Sequence, residues 1–192
     1  MTTIVKAPKK TRGAAKKDTT VQLAKPEILI NFLLDSSGSM QSCKQQTIDG
    51  FNSYVHSLKS IKDQEVRFTL AKFNTKDVVI NQANVSLKDV ELLNASNYVP
   101  DDGTPLYDAI GKTISRIDKD LAQNFNTAVL IVIQTDGEEN SSKEFTKEAI
   151  QKLIKEKESK GWTFVYLGAD QNAWQNAQKI GFVQGNTWSY AS

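Results

Sequence analysis

One acidic and two hydroxyl side chains lie at alternate positions in the segment 35–39 (Asp-Ser-Ser-Gly-Ser), directly after the apolar run 28–34. The run predicts a buried strand, and the glycine and serines predict a turn that opens a helix. Asp35, Ser37 and Ser39 would then bring one carboxylate and two hydroxyls to a single strand end. Oxygen donors of these types bind hard divalent cations. The first chemistry that the sequence predicts is therefore cation binding.

Two further loops carry donors of the same kind. Thr-Asp-Gly, with Asp136 at its centre, follows the apolar run 128–133, and Thr104 precedes a helix that we expect to start near Pro105. In open α/β sheets, ligands bind beyond the carboxyl ends of the strands. Three segments that are far apart in sequence would thus meet at one edge. They supply two carboxylates and three hydroxyls.

This donor set suits Mg²⁺ or Mn²⁺, which prefer oxygen ligands in octahedral geometry and give up their water reluctantly. The neutral hydroxyls would bind the ion directly, and the two aspartates would act partly through water. A site with few direct carboxylates leaves the ion electrophilic and one coordination position open. That position invites a carboxylate from outside the chain. We therefore expect a binding switch and not a buried structural ion.

The elements that must position these loops alternate along the chain. The apolar runs 28–34 and 128–133 predict strands buried on both faces, and alternation at 66–73 predicts another strand. Apolar residues at helical spacing predict helices between the strands. A turn at 74–77 before the apolar residues 78–80 predicts a hairpin that ends in an antiparallel edge strand. The fold class is α/β: a Rossmann-like, doubly wound, mostly parallel sheet with one antiparallel edge strand and helices on both faces.

The remaining segments are less regular. Residues 81–103 predict a long connection with a short helix near 88–93. A strand at 162–167, a short helix at 173–180 and a last strand at 182–183 complete the prediction.

The N-terminal segment differs from the rest in charge. Residues 1–20 carry six Lys or Arg and one Asp, a balance of +5, which leaves −3 for the rest of a chain whose net charge is +2. With almost no larger apolar residues, residues 1–25 are expected to form a disordered basic tail, and residues 26–192 the folded domain. A solvated arm is the simpler interpretation of the tail. Weak nonspecific contact with nucleic acid or another polyanion is the alternative.

Several classes of protein are disfavoured by composition. No run approaches the roughly 18 apolar residues that span a bilayer, so we expect no membrane partner. The basic start is not followed by the apolar segment of a secretory signal. Cys43 is the only cysteine, which rules out an internal disulfide, and the single His56 makes a Ser-His catalytic pair improbable. An intracellular, non-catalytic protein is the expectation.

The motifs Asp-x-Ser-x-Ser, Gly-Thr-Pro-Leu and Thr-Asp-Gly match, in order and in strand context, the metal-ion-dependent adhesion site (MIDAS) of von Willebrand factor A (vWA) domains. The chain resembles this family over residues 26–184. Its motifs look most like those of small stand-alone bacterial and bacteriophage members, which implies a cytoplasmic location, in the host if the protein is bacteriophage-encoded. The resemblance implies five metal ligands, the hydroxyls of Ser37, Ser39 and Thr104 and the direct or water-mediated carboxylates of Asp35 and Asp136.

The resemblance implies a metal-dependent module that binds a partner protein through an Asp or Glu carboxylate. The family also includes adaptor subunits of AAA+ ATPase and chelatase complexes, which is the alternative. A metal-dependent hydrolase is a third class, but the motifs contain no histidine, Asp-x-Asp pair or evident general base. The residues do not identify the partner or the oligomeric state.

Each motif also has a purely structural interpretation. A serine or aspartate after the first strand caps a following helix in many proteins, and Thr104 before Pro105 is placed like a helix N-cap. We expect the nearby carboxylates to be solvated or to lie around the ligands without binding the ion themselves. They are Asp101, Asp102, Asp108, Glu138 and Glu139.

Overall fold

The part of the chain that the computed structural model describes is built around one β-sheet, with helices on both of its faces. The described residues are 27–62, 64–121, 127–136, 139–168, 173–182 and 186–189, without the side chains of 173, 174 and 188. The predicted basic tail lies outside the described residues.

Within these residues, six strands form one sheet in the order β3-β2-β1-β4-β5-β6. β3 pairs antiparallel with β2, and the other neighbours pair in parallel. The predicted mostly parallel sheet with one antiparallel edge strand is therefore confirmed. The strands are β1 (Glu27–Asp35), β2 (Val66–Phe73), β3 (Val78–Ser86), β4 (Thr127–Thr135), β5 (Thr163–Gly168) and β6 (Thr187–Ser189).

Helices cover both faces of the sheet, as the sequence predicts. Apolar side chains of α1 pack on one face, while those of α2, α3 and the segment around α4 pack on the other. Two short 3-10 helices, Gly38–Cys43 and Leu87–Asp89, lie in the connections. The α-helices are α1 (Lys44–Lys59), α2 (Leu106–Leu121), α3 (Lys147–Ser159) and α4 (Ala173–Lys179).

The apolar run of β1 reflects burial on both faces. Side chains alternate across a strand, so successive residues enter different cores. Phe32 packs edge-on against Phe51 of α1, with ring centroids 5.0 Å apart, whereas Leu33 joins the core beneath α2. Because β1 is central and fully covered, its carboxyl end is held firmly in place.

Three details differ from the sequence prediction. β3 extends from Val78 to Ser86, and a single 3-10 turn at Leu87–Asp89 follows where a helix near 88–93 was expected. The polar residues of β3 lie on an exposed edge strand, so they give no hydrophobic period. The last described strand is Thr187–Ser189. Of the strand predicted at 182–183, Phe182 is a buried core residue and not part of a strand, and Val183 lies outside the described residues.

No helix among the described residues combines the length and the apolar character needed to cross a membrane.

Candidate metal site

The carboxyl ends of β1 and β4 bring Asp35 beside Thr135. The two strands are parallel neighbours, and the Thr135 hydroxyl donates to Asp35 Oδ2 at 2.6 Å. The Ser37 backbone N–H donates to Asp35 Oδ1 at 2.7 Å. On the opposite side, the Tyr98 hydroxyl donates to the Asp35 carbonyl at 2.7 Å. These bonds fix both the backbone and the carboxylate at the base of the site.

Asp35 is fully buried, and this burial raises the pKa of its carboxyl to about 6. The hydrogen bonds from Thr135 and Ser37 oppose the rise, while the nearby charge of Asp136 adds to it. A buried carboxylate beside a second carboxylate is stabilised by any cation placed between or near them. The electrostatics at this strand end therefore favour a bound positive charge.

The hydroxyls of the first loop meet the carboxylate of the β4 loop. Ser37 Oγ lies 3.2 Å from Ser39 Oγ, and Ser39 Oγ donates to Asp136 Oδ1 at 2.8 Å. Two ligands at right angles on Mg²⁺, each about 2.1 Å from the ion, lie about 3.0 Å apart. These two spacings, 3.2 and 2.8 Å, are close to that of neighbouring ligands on one small octahedral ion.

The loop that precedes Thr104 is attached directly to the first loop. The Asp101 N–H donates to the Ser36 carbonyl and the Gly38 N–H to the Asp102 carbonyl, both at 2.8 Å. Asp102 takes a left-handed backbone conformation, with φ of +66°, which is uncommon for a residue with a Cβ. Thr104, 1 % exposed, follows two residues later. The three predicted segments therefore converge at one edge of the sheet.

Gly103 lies in a crowded position of this convergence. A Cβ at Gly103 would lie 2.9 Å from Ser141 Oγ, closer than real Cβ contacts, and 3.0 Å from Asn140 Oδ1, so these side chains would have to shift. At Gly38, by contrast, a Cβ would lie 3.4 Å from the Asp102 carbonyl oxygen, an ordinary contact. The tighter packing around a glycine thus falls on the Thr104 side of the site.

Thr104 is bonded to the chain that follows Asp136. Its N–H donates to Asn140 Oδ1 at 2.8 Å, and its carbonyl accepts from the Asn140 N–H at 3.1 Å. Glu139, half-buried beside it, accepts from the Tyr107 N–H at 2.9 Å and from the Ser142 hydroxyl at 2.6 Å. Sequence reasoning did not assign these roles to Glu139 and Asn140, because local patterns do not show a contact across 36 residues.

Asp108 is buried and bonded to backbone N–H groups. Of the two placements expected for it, solvated or lying around the ligands, the structure does not show the solvated one. Its carboxylate accepts from the backbone N–H groups of Lys143, Glu144 and Phe145, at 2.8 to 2.9 Å. Burial by itself raises the pKa of Asp108, but these bonds and the nearby Lys112 outweigh it and hold the pKa below its usual value. The one sequence signal was its position in the first turn of α2, where acidic residues are favoured.

Asp101 and Asp102 behave as expected of solvated carboxylates. Lys76, at the tip of the β2–β3 hairpin, reaches Asp101 Oδ2 at 2.7 Å and Asp102 Oδ2 at 2.9 Å. Hydrogen bonds to these two partners raise the pKa of Lys76 above its ordinary value. Exposed ion pairs of this kind contribute little stability. Glu138 lies outside the described residues.

The described residues contain no group of three or more His, Cys, Asp or Glu side chains placed to hold a metal ion. The candidate site combines two aspartates with hydroxyls, a donor set typical of Mg²⁺ or Mn²⁺ and unlike that of zinc. Hydrogen bonds join Asp35, Ser37, Ser39 and Asp136, and Thr104 is fixed nearby on the neighbouring loop. The residues present therefore fit a hard divalent cation.

Comparisons with solved structures support the same fold. Proximal thread matrix protein 1 from the mussel byssus aligns with a TM-score of 0.59 and 14 % identity, over 88 % of this chain and 42 % of that chain. The manganese-loaded TRAP protein of Plasmodium vivax aligns with a TM-score of 0.59 and 14 % identity, over 86 % of this chain and 69 % of that chain. The chain thus spans less than half the length of the mussel protein.

No curated protein sequence matches the chain. The model of the von Willebrand factor type A domain, in contrast, matches residues 30–191, which is most of the sequence and includes all three loops of the candidate site. The chain therefore belongs to the von Willebrand factor type A domain family.

Proposed function

We propose that this vWA domain is a metal-dependent protein-binding module, and that its candidate site is a complete MIDAS holding Mg²⁺ or Mn²⁺. The observation that carries the proposal is the hydrogen-bonded series from Asp35 through Ser37 and Ser39 to Asp136, which gathers ligand-type oxygens at one sheet edge. The proposed ligands are Asp35, Ser37, Ser39, Thr104 and Asp136.

The type of ion follows from the donors. Hydroxyl and carboxylate oxygens favour hard cations. The spacings of 3.2 Å between Ser37 Oγ and Ser39 Oγ and of 2.8 Å between Ser39 Oγ and Asp136 Oδ1 lie on either side of the about 3.0 Å expected for neighbouring ligands on Mg²⁺. The TRAP protein that shares the fold is described as manganese-loaded, which supports the use of Mn²⁺ as a probe.

The proposed partner is a protein that offers an Asp or Glu side chain. Five ligands from the chain, some of them through water, leave a position on an octahedral ion that a carboxylate of the partner would fill. Such binding uses the ion as a bridge between two proteins. Removal of the metal would then remove the interaction without unfolding either partner.

We propose binding and not catalysis for this site. His56, the chain's single histidine, is exposed near the C-terminal end of α1, whereas the site lies beyond the N-terminal end of that helix. Asp35 and Asp136 accept hydrogen bonds from hydroxyls of the site itself. Both are therefore better arranged to hold an ion than to take a proton from a substrate.

The first experiment measures the melting temperature of the full chain with increasing MgCl₂ or MnCl₂. At metal concentrations about 100-fold above Kd, mass action predicts an increase of about 5 to 10 °C. Asp136→Ala should abolish the increase because it removes a proposed ligand. Asp101→Ala is the matched control, since Asp101 is exposed and bonded to Lys76. A wild-type melting temperature that does not respond to millimolar metal would contradict the proposal.

A second experiment tests the partner. Wild-type and Asp136→Ala proteins are used as bait in parallel, with MgCl₂ or with chelator. The proposal expects a captured protein that is lost in both the variant and the chelator arm, and whose own Asp or Glu substitution abolishes capture. A captured AAA+ ATPase would indicate an adaptor role. Capture that persists with chelator would contradict a metal-bridged interface.

A further inference from the structure

The start of α2 is capped by side chains from a distant loop. The Tyr107 N–H donates to Glu139 Oε2 at 2.9 Å, and the Asp108 N–H donates to the Ser142 hydroxyl at 3.1 Å. Both donors belong to the first helical turn, whose N–H groups have no partner within the helix. Most helices meet this need with a residue just before the helix. Here the loop after β4 meets it instead.

The same loop is hydrogen-bonded to both the N–H and the carbonyl of Thr104. Asn140 accepts from the Thr104 N–H through Oδ1 and donates through its own N–H to the Thr104 carbonyl. Asn140 lies four positions after Asp136. The backbone that carries one proposed hydroxyl ligand is therefore bonded directly to the loop that carries a proposed carboxylate ligand. We call Glu139, Asn140 and Ser142 the clamp.

The clamp is itself held in place by α2. Asp108, in the first turn of α2, accepts from the N–H groups of Lys143, Glu144 and Phe145, directly after the clamp. Glu139 also accepts from the N–H groups of Ser141 and Ser142, at 2.7 and 2.6 Å. Each segment thus satisfies the backbone donors of the other. A reciprocal arrangement of this kind leaves little freedom for either loop to move alone.

We propose that Asn140 and Glu139 are positioning residues, which hold the Thr104 hydroxyl at the fixed distance from Asp136 that metal binding needs. The inference rests on the proposed metal site and extends it to residues that touch no metal. Thr104 sits in a loop that includes a left-handed Asp102 and a glycine in a crowded position. Loss of the clamp would allow this loop other conformations, in which the Thr104 hydroxyl would not reach the proposed ion.

A purely structural role predicts something different. If the clamp served only to cap α2, its loss would lower stability and leave the metal affinity of the folded protein unchanged. If it positions Thr104, its loss weakens metal binding by the amount that Thr104 contributes. Residues that support metal ligands from outside commonly change affinity by about 10- to 100-fold when they are replaced. The two roles can therefore be separated by measuring affinity and stability on the same variants.

The test is a calorimetric titration with MnCl₂ of the full chain and of Asn140→Ala, at a temperature where both are folded. We expect Asn140→Ala to bind Mn²⁺ about 10-fold more weakly. Pulsed EPR on the same samples counts the water molecules on Mn²⁺. We expect one more water in Asn140→Ala than in the wild type, because water replaces the displaced Thr104 hydroxyl. Thr104→Ala should give the same water count.

A double-mutant cycle identifies the route of the effect. If Asn140 acts through Thr104, then Asn140→Ala changes Mn²⁺ affinity little once Thr104→Ala is present. Asn140→Asp retains an oxygen acceptor for the Thr104 N–H and should restore the wild-type water count. Glu139→Gln, which loses part of the acceptor capacity for Tyr107 and Ser142, should weaken binding by less than Asn140→Ala does.

Thr146→Ala is the matched stability control. Thr146 caps α3 by accepting from the Ala149 N–H at 3.3 Å, and this bond lies at the start of α3, ten residues after Asp136. Loss of this cap should lower the melting temperature in chelator by about 2 to 4 °C and leave Mn²⁺ affinity unchanged.

The outcomes distinguish the two proposals. A wild type that binds Mn²⁺, with an Asn140→Ala variant that binds it equally well, overturns the clamp alone. Additive losses in the double-mutant cycle overturn it as well, because Asn140 would then act independently of Thr104. A wild type that binds no Mn²⁺ in the calorimeter overturns the metal site and, with it, the clamp.

Discussion

Two helices begin at the same edge of the sheet, and they begin in opposite ways. The 3-10 helix that leads into α1 has Ser37 at its N-cap position, yet no side-chain cap bond is formed there or at Cys43, the N-cap of α1. The start of α2 is bonded to side chains of the β4–α3 connection. One helix start therefore has no side-chain cap, and its serine hydroxyls bond to other side chains, while the other helix start is capped by a distant loop.

The difference indicates which hydroxyls at this edge are not used to cap a helix. Ser37 and Ser39 direct their hydroxyls toward each other and toward Asp136, so the capping role that the sequence allows for Ser37 is not adopted. Thr104 is not required as a cap either, because the N–H three residues on, that of Tyr107, is bonded to Glu139. The capping of α2 by the distant loop thus does not depend on the Thr104 hydroxyl.

The largest loss of stability is expected when the hydrogen bonds that tie the start of α2 to the β4–α3 connection are removed. Asp108→Ala removes the acceptor of three backbone N–H groups and should lower the free energy of unfolding by about 3 kcal/mol. The measurement is urea unfolding in the presence of chelator. Asp120→Ala, on the same helix but exposed, is the control and should leave the unfolding free energy unchanged. Equal stabilities of the two variants would mean that the α2 start does not depend on Asp108.

An intermediate effect is expected from pH at the α1 side. With a folded pKa of about 6 and an unfolded value of about 3.9, Asp35 binds its proton more tightly in the folded state. Without metal, the free energy of unfolding should therefore rise by about 1 kcal/mol between pH 7 and pH 5. Asp35→Asn should lack this rise.

The stabilisation that bound metal adds should depend on pH in the opposite direction. A cation needs the ionised carboxylate, so the stabilisation by Mg²⁺ should be larger at pH 7 than at pH 5. Urea unfolding at both pH values, with MgCl₂ or with chelator, checks both statements. The same pH dependence in wild type and Asp35→Asn would show that Asp35 titrates normally in the folded protein.

The smallest effect on the free energy of unfolding is expected from the serine hydroxyls before α1, which cap no helix. Ser39 is exposed and caps no helix, so Ser39→Ala should change the unfolding free energy in chelator by about 0.5 kcal/mol or less. The increase in unfolding free energy that MgCl₂ gives the wild type should nevertheless be largely lost in Ser39→Ala. A large loss of stability in chelator would show that the two helix starts are more alike than their hydrogen bonds indicate.

Much of the fold could be predicted because local sequence patterns identify its central strands. β1 and β4 are apolar runs buried on both faces, and the turn after β2 marks the antiparallel hairpin. The prediction failed at the periphery. β3 is longer than expected because its polar residues lie on an exposed edge, and the last strand of the described residues is Thr187–Ser189, whereas Phe182 is not part of a strand. Edge elements carry weak periodicity, since only part of their surface is buried.

For the candidate site, the sequence by itself determined which oxygens are available and at which strand ends they lie. The alternate spacing of Asp35, Ser37 and Ser39 is a local property, and strand ends of a parallel sheet converge by topology. Only the tertiary structure decided that Glu139, Asn140 and Asp108 join the loops around Thr104. Those bonds cross some 30 to 40 residues of chain, and an acidic residue in a loop or at a helix start has the same local pattern whether its carboxylate is solvated or buried.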